Sequence, residues 1–218
     1  MEHSVLIVPG FHGSEEAHWQ SWLEGQLANA RRIEGVDWEQ PALLPWVRQI
    51  LLTIDEAPGT VWIVAHSFGC LASVFAARDR LHRLGGLMLV APADPERFSP
   101  LGVRNNNDHP EEDSLSGWLP HEPLGIPTLV VASTNDPKVK LSTSAYWASA
   151  WGSHFEPLIN AGHINTEAGF GPWPKGLQLL RQLQASHLGA SCETRDTSPG
   201  GKSRARIPLA RWNPCTPQ

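Results

Sequence analysis

Short, almost wholly apolar runs recur along this chain, and helix-like segments separate them. Residues 5–8 (VLIV), 61–64 (VWIV), 86–90 (GLMLV) and 126–132 (IPTLVVA) lack the polar–apolar alternation of a strand with one wet face. A strand that is apolar on both sides has to be covered on both sides. Such strands alternating with helices predict an α/β architecture: a mostly parallel, doubly wound sheet with helices on both faces.

The intervening sequence fills in the pattern. Pro9-Gly10 stops the first run. Residues 15–30 place Trp19, Trp22, Leu23 and Leu27 at helical spacing behind an acidic start, which suits the positive end of a helix. Val36-Asp37-Trp38-Glu39 reads as a short strand. Pro45 opens a helix to about Glu56, because proline is tolerated in a first turn. Residues 68–81 carry Leu71, Val74 and Phe75 on one helical face. Residues 141–151 read as a helix and residues 156–159 as a last short strand. Leu177, Leu180 and Leu183 mark a final helix. Residues 94–122, rich in Pro, Asn and acids, are a long excursion, either a mobile lid or a meandering surface loop. Residues 1–188 are expected to form the domain. Residues 189–218 hold few aliphatics and five Lys and Arg against two acids, which predicts a disordered tail.

Several function classes are disfavoured. The formal charge of -5, with no long basic run, argues against nucleic acid. No stretch approaches the roughly 18 apolar residues of a membrane span. The N-terminal apolar run is too short for a secretory signal and lacks a basic lead. Cys70, Cys192 and Cys215 form no CxxC pair and no metal-ligand spacing, which points to a reducing compartment without disulfides. A cytoplasmic protein is the expectation. The ten tryptophans read mainly as core and groove packing, since each brings a large apolar area.

The chemistry is concentrated where the run 61–64 ends, in Ala65-His66-Ser67-Phe68-Gly69 followed by a helix. Strand, tight turn and helix around a serine is the setting of a nucleophile elbow, G-x-S-x-G, with alanine here at the first glycine position. A serine hydroxyl needs a base, and the base needs an orienting acid. On such a sheet the order is Ser, then Asp or Glu, then His, each just past a strand. Asp136 follows the run 126–132, and His163 follows the run 156–159. Ser67, Asp136 and His163 are thus the candidate nucleophile, acid and base. Gly10 lets the chain turn sharply, so the amide of Phe11 can serve an oxyanion hole together with the amide of Phe68. His12 and His18 lie outside the expected order for a base. His66 is expected to pack beside the elbow, and Cys70 to be a small buried side chain. Phe11, His12 and Trp118 are the candidate pocket residues.

Four stretches, "VPGFHGSEEAHWQSWL", "VAHSFGCLAS", "STNDP" and "AGHINTEAGFGPWPKGLQLL", resemble the small serine hydrolases of the α/β-hydrolase superfamily grouped with retinoblastoma-binding protein nine. The resemblance spans about residues 3–185, and the last stretch is its most specific part. It implies an α/β-hydrolase fold without a large cap domain. It carries over Ser67 as nucleophile, Asp136 as acid and His163 as base. Ala65 is the departure from the pattern.

The expected activity is a serine hydrolase acting on small carboxyl esters, thioesters or amides through an acyl-enzyme. No metal and no organic cofactor are implied. Two rivals stand beside it. One is a protein-binding module on a hydrolase scaffold, since members of this group are associated with protein partners. The other is an acyltransferase, whose acceptor site leaves no motif.

Overall fold

The structure, a computed structural model, describes residues 2–104 and 114–193. Its strands are β1 (His3–Val8), β2 (Ala30–Arg32), β3 (Thr60–His66), β4 (Leu84–Val90), β5 (Phe98–Ser99), β6 (Gly102–Val103), β7 (Thr128–Ser133) and β8 (His154–Leu158). Its helices are α1 (Trp19–Gln26), α2 (Leu43–Glu56), α3 (Phe68–Arg80), α4 (Leu141–Ala150) and α5 (Pro174–Glu193). Six strands make one sheet in the order β2-β1-β3-β4-β7-β8, and every pairing in it is parallel.

Alternation along the strands builds two cores. Leu6, Val8, Ile63, Ala65, Leu87, Leu89 and Val130 point to the face covered by α2, α3 and α4. Val5, Ile7, Trp62, Val64, Met88, Val90, Leu129 and Val131 point to the face that receives Trp19 and Leu23 of α1 and Leu179, Leu180 and Leu183 of α5. The apolar runs are apolar because both sides are covered, as expected for a doubly wound sheet. Trp19, Trp46 and Trp151 are among the largest fully buried side chains. Among the described residues, no helix is long and apolar enough to cross a membrane.

Three local expectations shift. The strand after α1 is 30–32, not 36–39. Asn29 fixes its start, with its Nδ2 donating to His3 O and its own carbonyl accepting from Val5 N. Residues 36–39 turn instead, because the Asp37 carboxylate takes the Glu39 amide at 2.9 Å, a local bond that competes with a strand. Helix α1 begins at Trp19 rather than near residue 15. The preceding residues make a turn closed by His18 N donating to Glu15 O. Helix α5 runs to Glu193, so residues 189–193 of the segment set apart by composition are helical. Residues 194–218 lie outside the described residues.

The excursion at 94–122 has structure of its own. A 3-10 turn at Pro95–Arg97 leads into an antiparallel β5–β6 ribbon, and Phe98, Leu115 and Leu119 are buried. Its residues 105–113 lie outside the described part.

Candidate active site

The chain leaves β1 toward one edge of the sheet and returns through β3 on the other side of β1. This reversal is a topological switch point, where the carboxyl ends of neighbouring strands open a crevice. Gly10 follows the end of β1, and Ser67 follows the end of β3.

Ser67 has φ 51° and ψ -122°, a backbone conformation that is costly for a side chain other than glycine. The surroundings hold it there. Its amide donates to Val90 O at 3.1 Å, and its carbonyl accepts from Cys70 N and Ala93 N. The turn is tight enough to forbid side chains around it. A Cβ on Gly69 would lie 2.2 Å from Pro9 O, and one on Gly10 would lie 2.8 Å from Ser67 Cβ. Gly69→Ala is therefore expected to cost about 3 kcal/mol and to lower the melting temperature by roughly 10 °C. A thermal melt checks this, and a shift under 2 °C would contradict so close an approach. Ala65 is accommodated without difficulty. It sits in register between Val8 and Leu89, and its methyl is fully buried in the core under α2 and α3.

The three candidate side chains converge. His163 Nε2 lies 3.0 Å from Ser67 Oγ, and His163 Nδ1 lies 2.8 Å from Asp136 Oδ2. The Asp136 side chain is 1 % exposed, and its second oxygen accepts the Lys138 amide at 2.7 Å. A carboxylate so enclosed can only accept, so it takes Nδ1–H of His163 and leaves Nε2 to accept the Ser67 hydroxyl proton.

The loop carrying His163 is pinned by the residues just before Asp136. Ser133 Oγ accepts Ala161 N at 2.9 Å, Thr134 Oγ1 accepts Asn160 N at 3.0 Å, and Asn135 Oδ1 accepts Gly162 N at 2.8 Å. Reading the sequence for Asp136 alone missed these positioning residues. The signal was a run of short polar side chains immediately after an apolar strand. His66 adds a further tether, its Nε2–H donating to His163 O at 3.0 Å. Burial, reinforced by the nearby His163 and His18 rings, holds His66 well below the usual histidine range, so it stays neutral. Burial also pushes the Cys70 thiol well above its ordinary value, which leaves it protonated and unreactive.

Among the described residues, no main-chain acceptor takes the amide of Phe11 or of Phe68, the first residue of α3. The His12 amide, by contrast, is used by Trp38 O at 2.8 Å. The His12 ring stacks on Phe11 at 3.7 Å and reaches Glu39 outside.

A cavity of about 380 Å³ opens over Ser67, with Phe11, His12, His18, Arg97, Phe98 and His163 among its lining residues. Trp118, expected in the pocket, is not in this wall. It lies against Phe75, with ring centroids 6.5 Å apart, and is 41 % exposed. Phe98 of the excursion is the aromatic that lines the cavity, packed 5.0 Å from Phe68. Arg97 ties the excursion to the acid loop by donating to Lys138 O at 3.2 Å. Among the described residues, no three His, Cys, Asp or Glu side chains group as metal ligands would.

Known proteins share this arrangement of strands and sequence. A family model for serine hydrolases matches residues 5–182. The crystal structure of a YdeN-like hydrolase from Pectobacterium atrosepticum SCRI1043 is 35 % identical. It covers 85 % of this chain and 92 % of its own, with a TM-score of 0.74. YdeN of Bacillus subtilis strain 168, named as a hydrolase, is 31 % identical over 101 residues. That match spans 42 % of this chain and about half, 51 %, of the relative. The crystal structure of the ydeN gene product from B. subtilis aligns with a TM-score of 0.64 at 24 % identity, over 84 % of this chain and 100 % of that one. The fold is that of an α/β hydrolase, and no large cap covers the crevice among the described residues. The group named from sequence resemblance falls within the same family. With the match running through nearly all of the sheet, the chain belongs to the serine hydrolase family and is a hydrolase.

Proposed function

We propose that this hydrolase cleaves small carboxyl esters through a Ser67–His163–Asp136 triad and an acyl-enzyme. His163 Nε2 takes the proton as Ser67 Oγ attacks the ester carbonyl carbon. The amides of Phe11 and Phe68 donate to the carbonyl oxygen as it becomes an oxyanion. His163 returns the proton to the departing alcohol. It then takes a proton from water, which attacks the acyl carbon, and passes that proton back to Ser67 as the acid leaves. Asp136 keeps the imidazole in the needed tautomer and favours its charged form.

The observation that carries this reading is the unbroken Asp136–His163–Ser67 hydrogen-bonded line at 2.8 and 3.0 Å. Two further features support it: free amides flank the nucleophile, and the cavity is of a size suited to a small molecule. Phe11 and Phe98 give one wall an apolar surface for the hydrocarbon part of an ester.

A fluorophosphonate probe tests the proposal. Wild type is expected to label on Ser67 and the Ser67→Ala variant not at all, with both melting alike. A folded wild type that does not label would sink the triad reading and favour a binding role for the scaffold.

A further inference from the structure

His18 stands beside the proposed triad without belonging to it. It is 3 % exposed and lines the cavity over Ser67. It caps α1, its Nδ1 accepting the Gln20 amide at 3.1 Å. A ring nitrogen that accepts an N–H carries no proton of its own. The proton of the neutral ring is therefore on Nε2, at the opposite edge. Burial pushes the pKa of the ring down to about 4, although Glu15 pulls the other way. Among the described residues, none accepts a hydrogen bond from that Nε2–H. That nitrogen is not among the fully buried unpaired polar atoms, and His18 borders the cavity, so its N–H is open to a hydrogen-bond acceptor there.

Packing fixes which part of a substrate would meet it. The segment around His18 is joined to the loop that carries His163. Trp19 Nε1 donates to Ile164 O at 2.8 Å, and Trp19 N donates to Phe170 O at 3.1 Å. The His18 and His66 rings are 5.0 Å apart, as are the His66 and His163 rings. In ester cleavage the alcohol departs against the base, which must protonate it. The wall on the side of His163 thus faces the alcohol. The lining residues that follow His163 in the chain, Asn165, Thr166 and Glu167, are polar, whereas Phe11, Phe98 and Val103 also line the cavity as apolar groups.

We propose that His18 is a specificity-determining residue whose Nε2–H donates to an oxygen in the alcohol portion of the substrate. The substrates it selects are esters of oxygen-bearing alcohols, such as hydroxy or alkoxy alcohols, over esters of plain alkanols. The inference rests on the ester-hydrolase reading above.

Two esters isolate the contact. 2-Methoxyethyl butyrate and n-butyl butyrate differ by one ether oxygen in place of one methylene and form the same acyl-enzyme. Release of butyric acid, followed by pH-stat, gives kcat/KM for each. Wild type is expected to prefer the methoxyethyl ester about ten-fold beyond the ratio for hydroxide alone. His18→Asn keeps an acceptor for the Gln20 amide but does not reach the Nε2 position, so the preference is expected to vanish. His18→Gln puts an amide N–H near the Nε2 position and gives up the cap, so the preference is expected to return in part. Melting temperatures should rank the two variants in the opposite order. An unchanged ratio in His18→Asn, or no preference in wild type, overturns the role of His18 and leaves the hydrolase reading standing. So does a wild type that takes the fluorophosphonate yet cleaves neither ester. A wild type that neither cleaves nor labels overturns both.

Discussion

Replacing His163 by alanine is expected to lower kcat on an aryl ester by about 10⁵- to 10⁶-fold, close to the loss from Ser67→Ala. In the proposed triad the two residues act as one unit. Without an acceptor 3.0 Å from its hydroxyl, Ser67 keeps its proton, and a neutral hydroxyl is a weak nucleophile. The double variant should be no worse than either single one, because whichever is removed first ends covalent catalysis. The residual rate would come from the oxyanion-hole amides and binding alone. Fold loss is not the cause to expect, since the contacts that tether this loop, from His66 and from Ser133, Thr134 and Asn135, go to main-chain atoms of 160–163 that alanine keeps. Steady-state kinetics with a melting curve for each variant checks this. A folded His163→Ala protein within ten-fold of wild type would remove His163 as the base.

Asp136→Asn is expected to cost about 10⁴ in kcat with little change in melting temperature. The substitution keeps shape, and the amide oxygen can still accept from Lys138 N. It changes what faces His163 Nδ1. An amide NH₂ turned there donates, so Nδ1 becomes the acceptor and the ring proton moves to Nε2. Nε2 would then point a hydrogen at Ser67 and could not accept one. The carboxylate also stabilises the imidazolium in the transition state, and asparagine does not. NMR of the imidazole nitrogens separates the causes, since the variant should show protonated Nε2 at neutral pH. A variant with protonated Nδ1 and wild-type turnover would remove Asp136 as the orienting acid.

Much of this was legible because strand ends are legible. Ser67, Asp136 and His163 each follow a strand, and in a parallel sheet the strands end at one edge. What could not be read lies where periodicity is absent. Residues 94–122 carry no repeating pattern, so nothing in the sequence says that Phe98 turns inward while Trp118 lies tilted against Phe75 and half exposed. Strand β2 is three residues, Ala30-Arg31-Arg32, at the edge of the sheet with one neighbour. Its polar sequence carries no strand signal, and the Asn29 contacts that fix it are long-range. The start of α1 was misplaced because histidine is not among the residues that usually cap a helix. The same unusual cap hid His18, whose Nδ1 bond decides what its other nitrogen can do.

The all-parallel sheet has a kinetic consequence. No strand pair in it is closed by a hairpin, so each pairing must wait for a crossover to close. Ser67 and His163 are 96 residues apart in the chain, with β4, β7 and β8 between them in sequence, so their contact carries a large loop-closure cost. The turn at Ser67 is therefore expected to form before His163 docks beside it. If the proposed triad operates, Ser67 stays unarmed until the fold is complete, and labelling by a fluorophosphonate is expected to report on the completed fold.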